Sequence, residues 1–370
     1  MRAIYFVVDE NFEPIAAAKA FHLTTLTDAD IHIFFERRNK GSTCTPSIDH
    51  PRIFYHIDEL GKYLPKEAAL TSTHNLPPII YLRIFAPQVL HTYERLIYLD
   101  ADIYVNYMPE WIWTVPIPDC LAAVSDINIL NESTLNQEPD CLEWLSAIGL
   151  KTTRYLNTGV LVIKTDRWNQ YDWPKLLYEY CETYGAKVRY GDQDFLNYIF
   201  QETWLELSPR FNFQSPFFCL DLESFFRPCF IHFTAKYKPW WPKFGGYHES
   251  YYALYKELFD KAAIACPETL IILKTGQRIK NQLRIFLTKC GFQTRREKKR
   301  QKWQEEFALH YGSYMGKVLE KNSPNTSYFA DPLPDHFEIN NQNPHFDGIG
   351  YISPYVSICD DPLLEKSARR

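Results

Sequence analysis

Two carboxylates one residue apart, Asp100 and Asp102, follow the run Arg95-Leu96-Ile97-Tyr98-Leu99. A short apolar run of this kind reads as a buried strand, and in open α/β sheets ligands gather beyond the carboxyl ends of strands. Side chains at i and i+2 point to one side while the backbone stays extended. Two carboxylates presented together suit a hard divalent cation, Mg²⁺ or Mn²⁺, and such an ion also binds phosphate oxygens. The bland alternative is an Asp-rich surface turn, and the apolar strand ahead of the pair argues against it.

The elements that must position this pair follow from the hydrophobic pattern. Ala3 to Val8 is a buried-type strand ending at Asp9, and Phe12 to Leu26 reads helical, with Ala16, Ala17, Ala18 and Ala20 allowing close packing. Ile31 to Phe35 is a second strand, residues 37–52 read as a polar loop, and Ile79 to Leu90 reads as a helix. Leu121 to Val124 forms a strand ending at Ser125-Asp126, and Val160 to Ile163 forms another after Asn157-Thr158-Gly159. A helix runs from Lys175 to Tyr184, Gly191-Asp192-Gln193-Asp194 opens a helix over Phe195 to Phe200, and Cys229 to Phe233 is a last short strand. Strands alternating with helices predict α/β layers around a mostly parallel sheet.

Composition narrows the class. The chain has 370 residues, 46% hydrophobic and 23% charged, which is ordinary globular usage and excludes a disordered or fibrous protein. Only 14 glycines disfavour a glycine-rich nucleotide fold. The nine cysteines are scattered with no CxxC pair, so zinc-ribbon and thioredoxin readings lack support and reduced cytosolic thiols are expected. Met1 to Val8 reads as a strand rather than a signal peptide, and no run of about 18 apolar residues suggests a membrane span. The net charge of −5 is uneven: residues 274–303 hold eleven cations and one acid, so the rest of the chain is strongly acidic. Within that stretch Ile279, Leu283, Phe286 and Leu287 fall on one helical stripe. A basic patch of this kind points to an anionic surface. Anionic lipid is the partner expected, and no recognised nucleic-acid module accompanies the patch. Beyond about residue 321 the chain is rich in Asn, Pro, Asp and Ser and reads as irregular.

A DxD pair after a strand also occurs in phosphatases of the haloacid-dehalogenase type. Those carry it on the first strand with Thr or Val two places after the second Asp, whereas here it lies a hundred residues in and Tyr104 takes that place. The segments Phe6 to Phe12, Tyr81-Leu82-Arg83, Tyr98 to Asp102, Asn157 to Leu161, Gly191 to Asn197 and His232 to Trp240, in this order, closely resemble glycosyltransferase family 8. The resemblance implies the GT-A fold and retaining transfer of a hexose, galactose or glucose, from a UDP-sugar to a carbohydrate or glycolipid acceptor, as in lipopolysaccharide synthesis. It implies Asp100, Asp102 and His232 as ligands of Mn²⁺. It implies a uridine site at Asp9, Asn11 and Phe12, beside Val8, with Phe12 stacking on uracil. Arg83 and Lys238 are implied near the diphosphate, and Asp126, Asn157, Asp192 and Gln193 around the donor sugar. Ala101, Thr158 and Ala235 complete the nucleotide-sugar site, Ala235 standing where many members have glycine.

Gln193 is a poor nucleophile, so front-face substitution is one route, with the acceptor proton passing to the leaving phosphate. Asp126 and Asp192 stand as alternative nucleophiles. A glycogenin-like self-glucosylating enzyme and a silent carbohydrate- or membrane-binding module are the competing functions. The expected organisation is a GT-A catalytic domain over residues 1–262, a basic amphipathic helical segment over 263–303 and an extension over 304–370. The expected location is cytoplasmic, peripheral at the inner face of the membrane.

Overall fold

The computed structural model describes residues 1–38, 45–65, 70, 76–201, 203–218, 228–234, 238–240, 249–266, 279, 283, 286 and 327–328. Strand β1 (Arg2–Val8) leads into helix α1 (Glu13–Leu26), then β2 (Asp30–Phe35), β3 (Ile53–Ile57), β4 (Arg95–Leu99), β5 (Ile103–Val105) and β6 (Leu121–Ser125). Helix α2 (Pro139–Ala147), β7 (Leu156–Lys164), α3 (Trp173–Tyr184), α4 (Asp192–Phe200), β8 (Leu205–Leu207), β9 (Phe213–Gln214), β10 (Phe230–His232), α5 (Glu249–Ala262) and β11 (Ser327–Tyr328) follow.

The main sheet runs β11-β8-β6-β7-β4-β1-β2-β3, and the smaller one β5-β10-β9. Every pairing in the main sheet is parallel except the two made by β7, which runs against both β4 and β6. The expected mostly parallel α/β sheet flanked by helices is therefore present. Its inner strands are buried on both faces, which explains why they read as continuous apolar runs. Along β1, Ile4, Phe6 and Val8 enter the core shared with Ala16, Ala17 and Ala20 of α1. Ala3 and Tyr5 enter the opposite core, with Trp173 and Leu177 of α3 and Phe195 and Leu196 of α4. A third core joins the small sheet to α5 through Tyr104, Phe233, Tyr255 and Phe259.

One local expectation is corrected, and two elements are additions. After the polar stretch 37–52, β3 extends the sheet edge at Ile53–Ile57, where half-exposed residues break the apolar pattern of the inner strands. The helix expected over Ile79 to Leu90 is a 3₁₀ helix at Pro78–Ile84 followed by one α-turn at Ala86–Val89. Pro78 and Pro87 lack the N–H that a continuous α ladder needs. The 14-residue α5 is not among the elements read from the sequence.

The site edge follows from strand direction. β1, β4 and β6 end at Asp9, Asp100 and Asp126. Because β7 is reversed, its amino end lies at that same edge: Asn157 pairs with Val124, and the Asp100 N–H donates to the Gly159 carbonyl at 2.8 Å.

Candidate active site

The Asp100-Ala101-Asp102 turn is closed by the Ile103 N–H donating to the Asp100 carbonyl at 3.1 Å. The chain then enters β5, whose antiparallel pairing with β10 sets His232 opposite Ile103. That pairing carries a residue 130 positions away onto the carboxylates. His232 Nε2 lies 3.2 Å from Asp102 Oδ1 and 3.8 Å from Asp100 Oδ2. One ligand atom from each of the three residues falls within a 4.8 Å cluster. An ion with ligands at about 2.1 Å in octahedral geometry sets neighbouring ligand atoms roughly 3 Å apart. Two carboxylates and one imidazole at this spacing fit Mn²⁺ or Mg²⁺.

Lys238 Nζ approaches Asp102 Oδ2 at 2.8 Å and donates to the Phe233 carbonyl at 2.6 Å. Burial opposes ionisation of Asp102, but Lys238 and His232 outweigh it and hold the carboxyl well below its ordinary range. Beneath the turn, the buried Lys19 of α1 donates to the Ile103 carbonyl and its ammonium lies over the Tyr255 ring. Lys19 and Tyr98, whose hydroxyl donates to Asp100 Oδ1, were not anticipated; the i, i+2 spacing on β4 was the available signal for Tyr98.

Arg83 is placed at the end of the 3₁₀ helix rather than on an open surface. It donates to Asp100 Oδ1 at 2.9 Å, to the Thr158 carbonyl at 3.3 Å and to the Ile80 carbonyl at 3.0 Å. Its Nε also lies 3.2 Å from Asp192 Oδ2, and the guanidinium sits over the Tyr98 ring. Burial disfavours its charge, but Asp100 and Asp192 reverse the balance. Arg83 thus ties the metal-facing carboxylate to the start of α4.

The wall beyond is a closed hydrogen-bond set. Asp126 caps the turn after β6: its Oδ1 accepts from the Asn128 and Ile129 N–H groups at 3.1 and 3.2 Å. Its Oδ2 accepts from Asn157 Nδ2 at 2.9 Å and Gln193 Nε2 at 3.3 Å, and Gln193 Oε1 accepts from the Thr158 N–H at 3.1 Å. Both ends of Gln193 are thus engaged. Asn157, Thr158, Asp126 and Gln193 come together as expected, while Asn212, which bridges Asn157 to His232, was missed; no motif marks it.

Asp192 opens α4 after Gly191, whose φ of +62° only glycine adopts freely and whose added Cβ would lie 2.3 Å from Ile80. Its Oδ2 is buried and accepts no hydrogen bond. Burial pushes the Asp192 carboxyl up to about 7 against the pull of Arg83, and Asp100 adds to the rise. Burial likewise raises Asp194 to about 6, although Tyr155 and two backbone N–H groups oppose it. An acid whose folded pKa is raised contributes stability that is complete below its unfolded pKa and is lost as pH rises through the folded value. The melting temperature in a chelator should therefore fall between about pH 5 and about pH 8, and Asp192→Asn should lessen the fall. Thermal unfolding at the two pH values checks this; an undiminished fall in the variant would remove Asp192 as its source.

At the β1 end, Asp9 is buried, its Oδ1 accepting from the Asn11 and Phe12 N–H groups at 3.0 and 3.3 Å while its Oδ2 faces Arg38. Asn11 is exposed and Val8 is buried. The half-buried Phe12 meets Trp240 edge-on at 6.4 Å, and Trp240 itself is core, packed on Tyr255. Ala235 lies outside the described residues.

The α/β sheet, the acids along one edge and the Asp-Asp-His cluster have the arrangement of a GT-A fold, and the comparisons agree. Residues 13–242 match the family model "Glycosyl transferase family 8", and the chain belongs to that family. It is similar to General stress protein A of Bacillus subtilis, 26% identical over 192 residues, covering 47% of this chain and 63% of that protein. It is also similar to glycosyltransferase GlyF of Streptococcus pneumoniae, 25% identical over 170 residues, with coverage of 43% and 37%. The matches thus span less than two thirds of these relatives' lengths. Among solved structures, the galactosyltransferase LgtC in complex with donor and acceptor sugar analogues aligns with a TM-score of 0.55 at 19% identity, covering 76% of this chain and 100% of that one. That likeness is one of fold. The chain's Asp100, Asp102 and His232 donor set suits a divalent metal.

Proposed function

We propose that this chain transfers galactose or glucose from a UDP-sugar to a carbohydrate or glycolipid acceptor with retention of configuration, in the synthesis of lipopolysaccharide or another surface glycan. The observation that carries the reading is the Asp100, Asp102 and His232 cluster, flanked on one side by Lys238 and on the other by the Asn157, Asp126 and Gln193 wall. Asp100, Asp102 and His232 would hold Mn²⁺ or Mg²⁺, whose chemistry there is neutralisation of charge on the leaving diphosphate. Lys238 adds a fixed positive charge beside it, aimed where negative charge develops. Asp9 and Phe12 would take the uridine, and Asp126, Asn157 and Gln193 the hexose hydroxyls. Gln193 holds its place by bonds at both ends and supplies no proton. With the oxygens of Asp126 already accepting four hydrogen bonds, Asp192 is the carboxylate better placed to act as a base or nucleophile, and front-face transfer needs neither. The test is slow hydrolysis of UDP-galactose and UDP-glucose with Mn²⁺ and with chelator. Metal-dependent release of UDP from one of them is expected; no release from either, with or without acceptor sugars, would overturn the reading.

The same proposal takes residues 1–262 as the catalytic domain, 263–303 as a basic helical segment and 304–370 as an extension. Ile279, Leu283 and Phe286 are helical and more than half exposed. The charge around them, eleven cations over residues 274–303, favours an anionic membrane face. Among the described residues no helix is long and apolar enough to cross a membrane. The full chain should sediment with anionic vesicles at low salt, release at high salt and ignore neutral vesicles, since each cation contributes about 1 kcal/mol near such a surface. Equal binding after Ile279, Leu283 and Phe286 are all replaced by Ser, together with salt-insensitive binding, would overturn this.

A further inference from the structure

Four side chains join the metal cluster to the sugar-facing wall, and their bonds all run in one direction. Asp126 is the anchor: both of its oxygens accept, two backbone N–H groups on one and two side-chain amides on the other. Asn157 must therefore turn its NH₂ toward Asp126, which leaves its Oδ1 pointing away. That Oδ1 accepts from the Gly159 N–H at 3.0 Å and from Asn212 Nδ2 at 2.8 Å. Asn212 is thereby turned as well, with its own Oδ1 aimed at His232 Nδ1, 2.8 Å away. An amide oxygen can only accept, so His232 Nδ1 carries the hydrogen and Nε2 keeps its lone pair for a metal. Asn212 is fully buried, as is Asn157 to more than nine-tenths, so water does not substitute for these bonds.

We propose that Asn212 is a positioning residue that fixes the tautomer and orientation of His232 from the polarity of Asp126, coupling metal binding to the sugar wall. The inference deepens the reading above and rests on its metal site. A ligating imidazole is generally oriented by a hydrogen bond at its other nitrogen, and loss of that partner typically weakens metal binding about 10–100-fold. Here the orienting acceptor is not a carboxylate but an amide, whose second end is committed to Asn157. Moving Asn212 must therefore disturb both ends. Gly159 leaves room for the ring in this position, since His232 Cε1 lies 2.3 Å from where a Cβ would stand there.

Two variants separate this from simple packing. Asn212→Leu removes both bonds; Asn212→Asp keeps an acceptor for His232 Nδ1 but sets an oxygen against Asn157 Oδ1, where two acceptors repel. Mn²⁺ is titrated by electron paramagnetic resonance, alone and with UDP, and UDP-sugar hydrolysis is followed separately. Asn212→Leu should weaken Mn²⁺ binding at least tenfold. Asn212→Asp should hold Mn²⁺ within about threefold of wild type or more tightly, yet lose at least tenfold in kcat for hydrolysis. That split, with metal retained and turnover lost, is one a merely structural residue would not give. Wild-type affinity in Asn212→Leu, or equal loss of Mn²⁺ in both variants, would overturn the proposal while leaving the metal site standing. Absence of Mn²⁺ binding by wild type, with and without UDP, would remove the metal reading and this inference with it. Should Asn212→Leu fail to fold, Asn212→Asp alone decides, because Mn²⁺ lost beyond threefold there contradicts the assigned role.

Discussion

Asp102→Asn should lower the rate of UDP-sugar turnover by about 10²–10³ while leaving the fold intact. The carboxylate meets His232 Nε2 at 3.2 Å on one oxygen and Lys238 Nζ at 2.8 Å on the other. Neutralising it removes a metal ligand and also loosens the lysine that would face the diphosphate. The Lys238 ammonium then loses its counter-charge as well, so the loss exceeds that of one contact. The measurement is turnover across a Mn²⁺ titration beside a melting curve. Near-normal turnover in chelator would end the metal reading, whereas a collapsed melting curve would make Asp102 a stability residue instead.

Gly159→Ala should be nearly as damaging, for a reason of space. An added Cβ would stand 2.3 Å from His232 Cε1, 2.7 Å from its Nδ1 and 3.0 Å from Asn157 Oδ1. His232 is held by Asn212 on one side and is almost wholly buried, so it cannot swing clear without breaking that bond. Overpacking of this kind costs typically about 1–3 kcal/mol, and here part of the cost falls on ligand geometry. The expected result is a lower melting temperature together with Mn²⁺ binding weakened at least tenfold. Wild-type Mn²⁺ affinity in Gly159→Ala would show that the ring has room that the static packing denies it.

The parts of this molecule that could be read from its residues are those where one strand ends in one acid. β1, β4 and β6 are apolar runs stopped by Asp9, Asp100 and Asp126, and burial on both faces produces that pattern without reference to anything distant. Strand direction is another matter. Nothing in Leu156 to Lys164 tells that β7 runs against its neighbours, because an apolar run reads the same both ways. His232 became visible only through the family resemblance, since its place beside Asp102 depends on a three-residue pairing between β5 and β10. Asn212 left no trace at all: an amide in a turn is common, and only its two partners make it informative. Arg83 was anticipated at the site, but its full engagement by Asp100, Thr158 and Ile80 could be seen only in the folded chain. Trp240, by contrast, follows the ordinary tendency of tryptophan to pack, lying against Tyr255 in the third core.

The reversal of β7 also decides where this protein can be redesigned. In a uniformly parallel sheet, every loop that leaves a strand at the site edge faces the ligand and every loop that enters one lies at the back. Here the rule inverts for one strand. The segment 149–155, which enters β7, opens beside Asn157, while the exit at Lys164 and Thr165 is bonded to Cys120 and Glu94 at the opposite rim. Within it Leu150 and Tyr155 are core and Tyr155 bonds Asp194, so the half-exposed Thr152 and Thr153 are the positions where substitution would change the rim beside Asn157. A tag or fluorophore placed just past Trp168 would ride at the rim opposite Asp100 and Asn157.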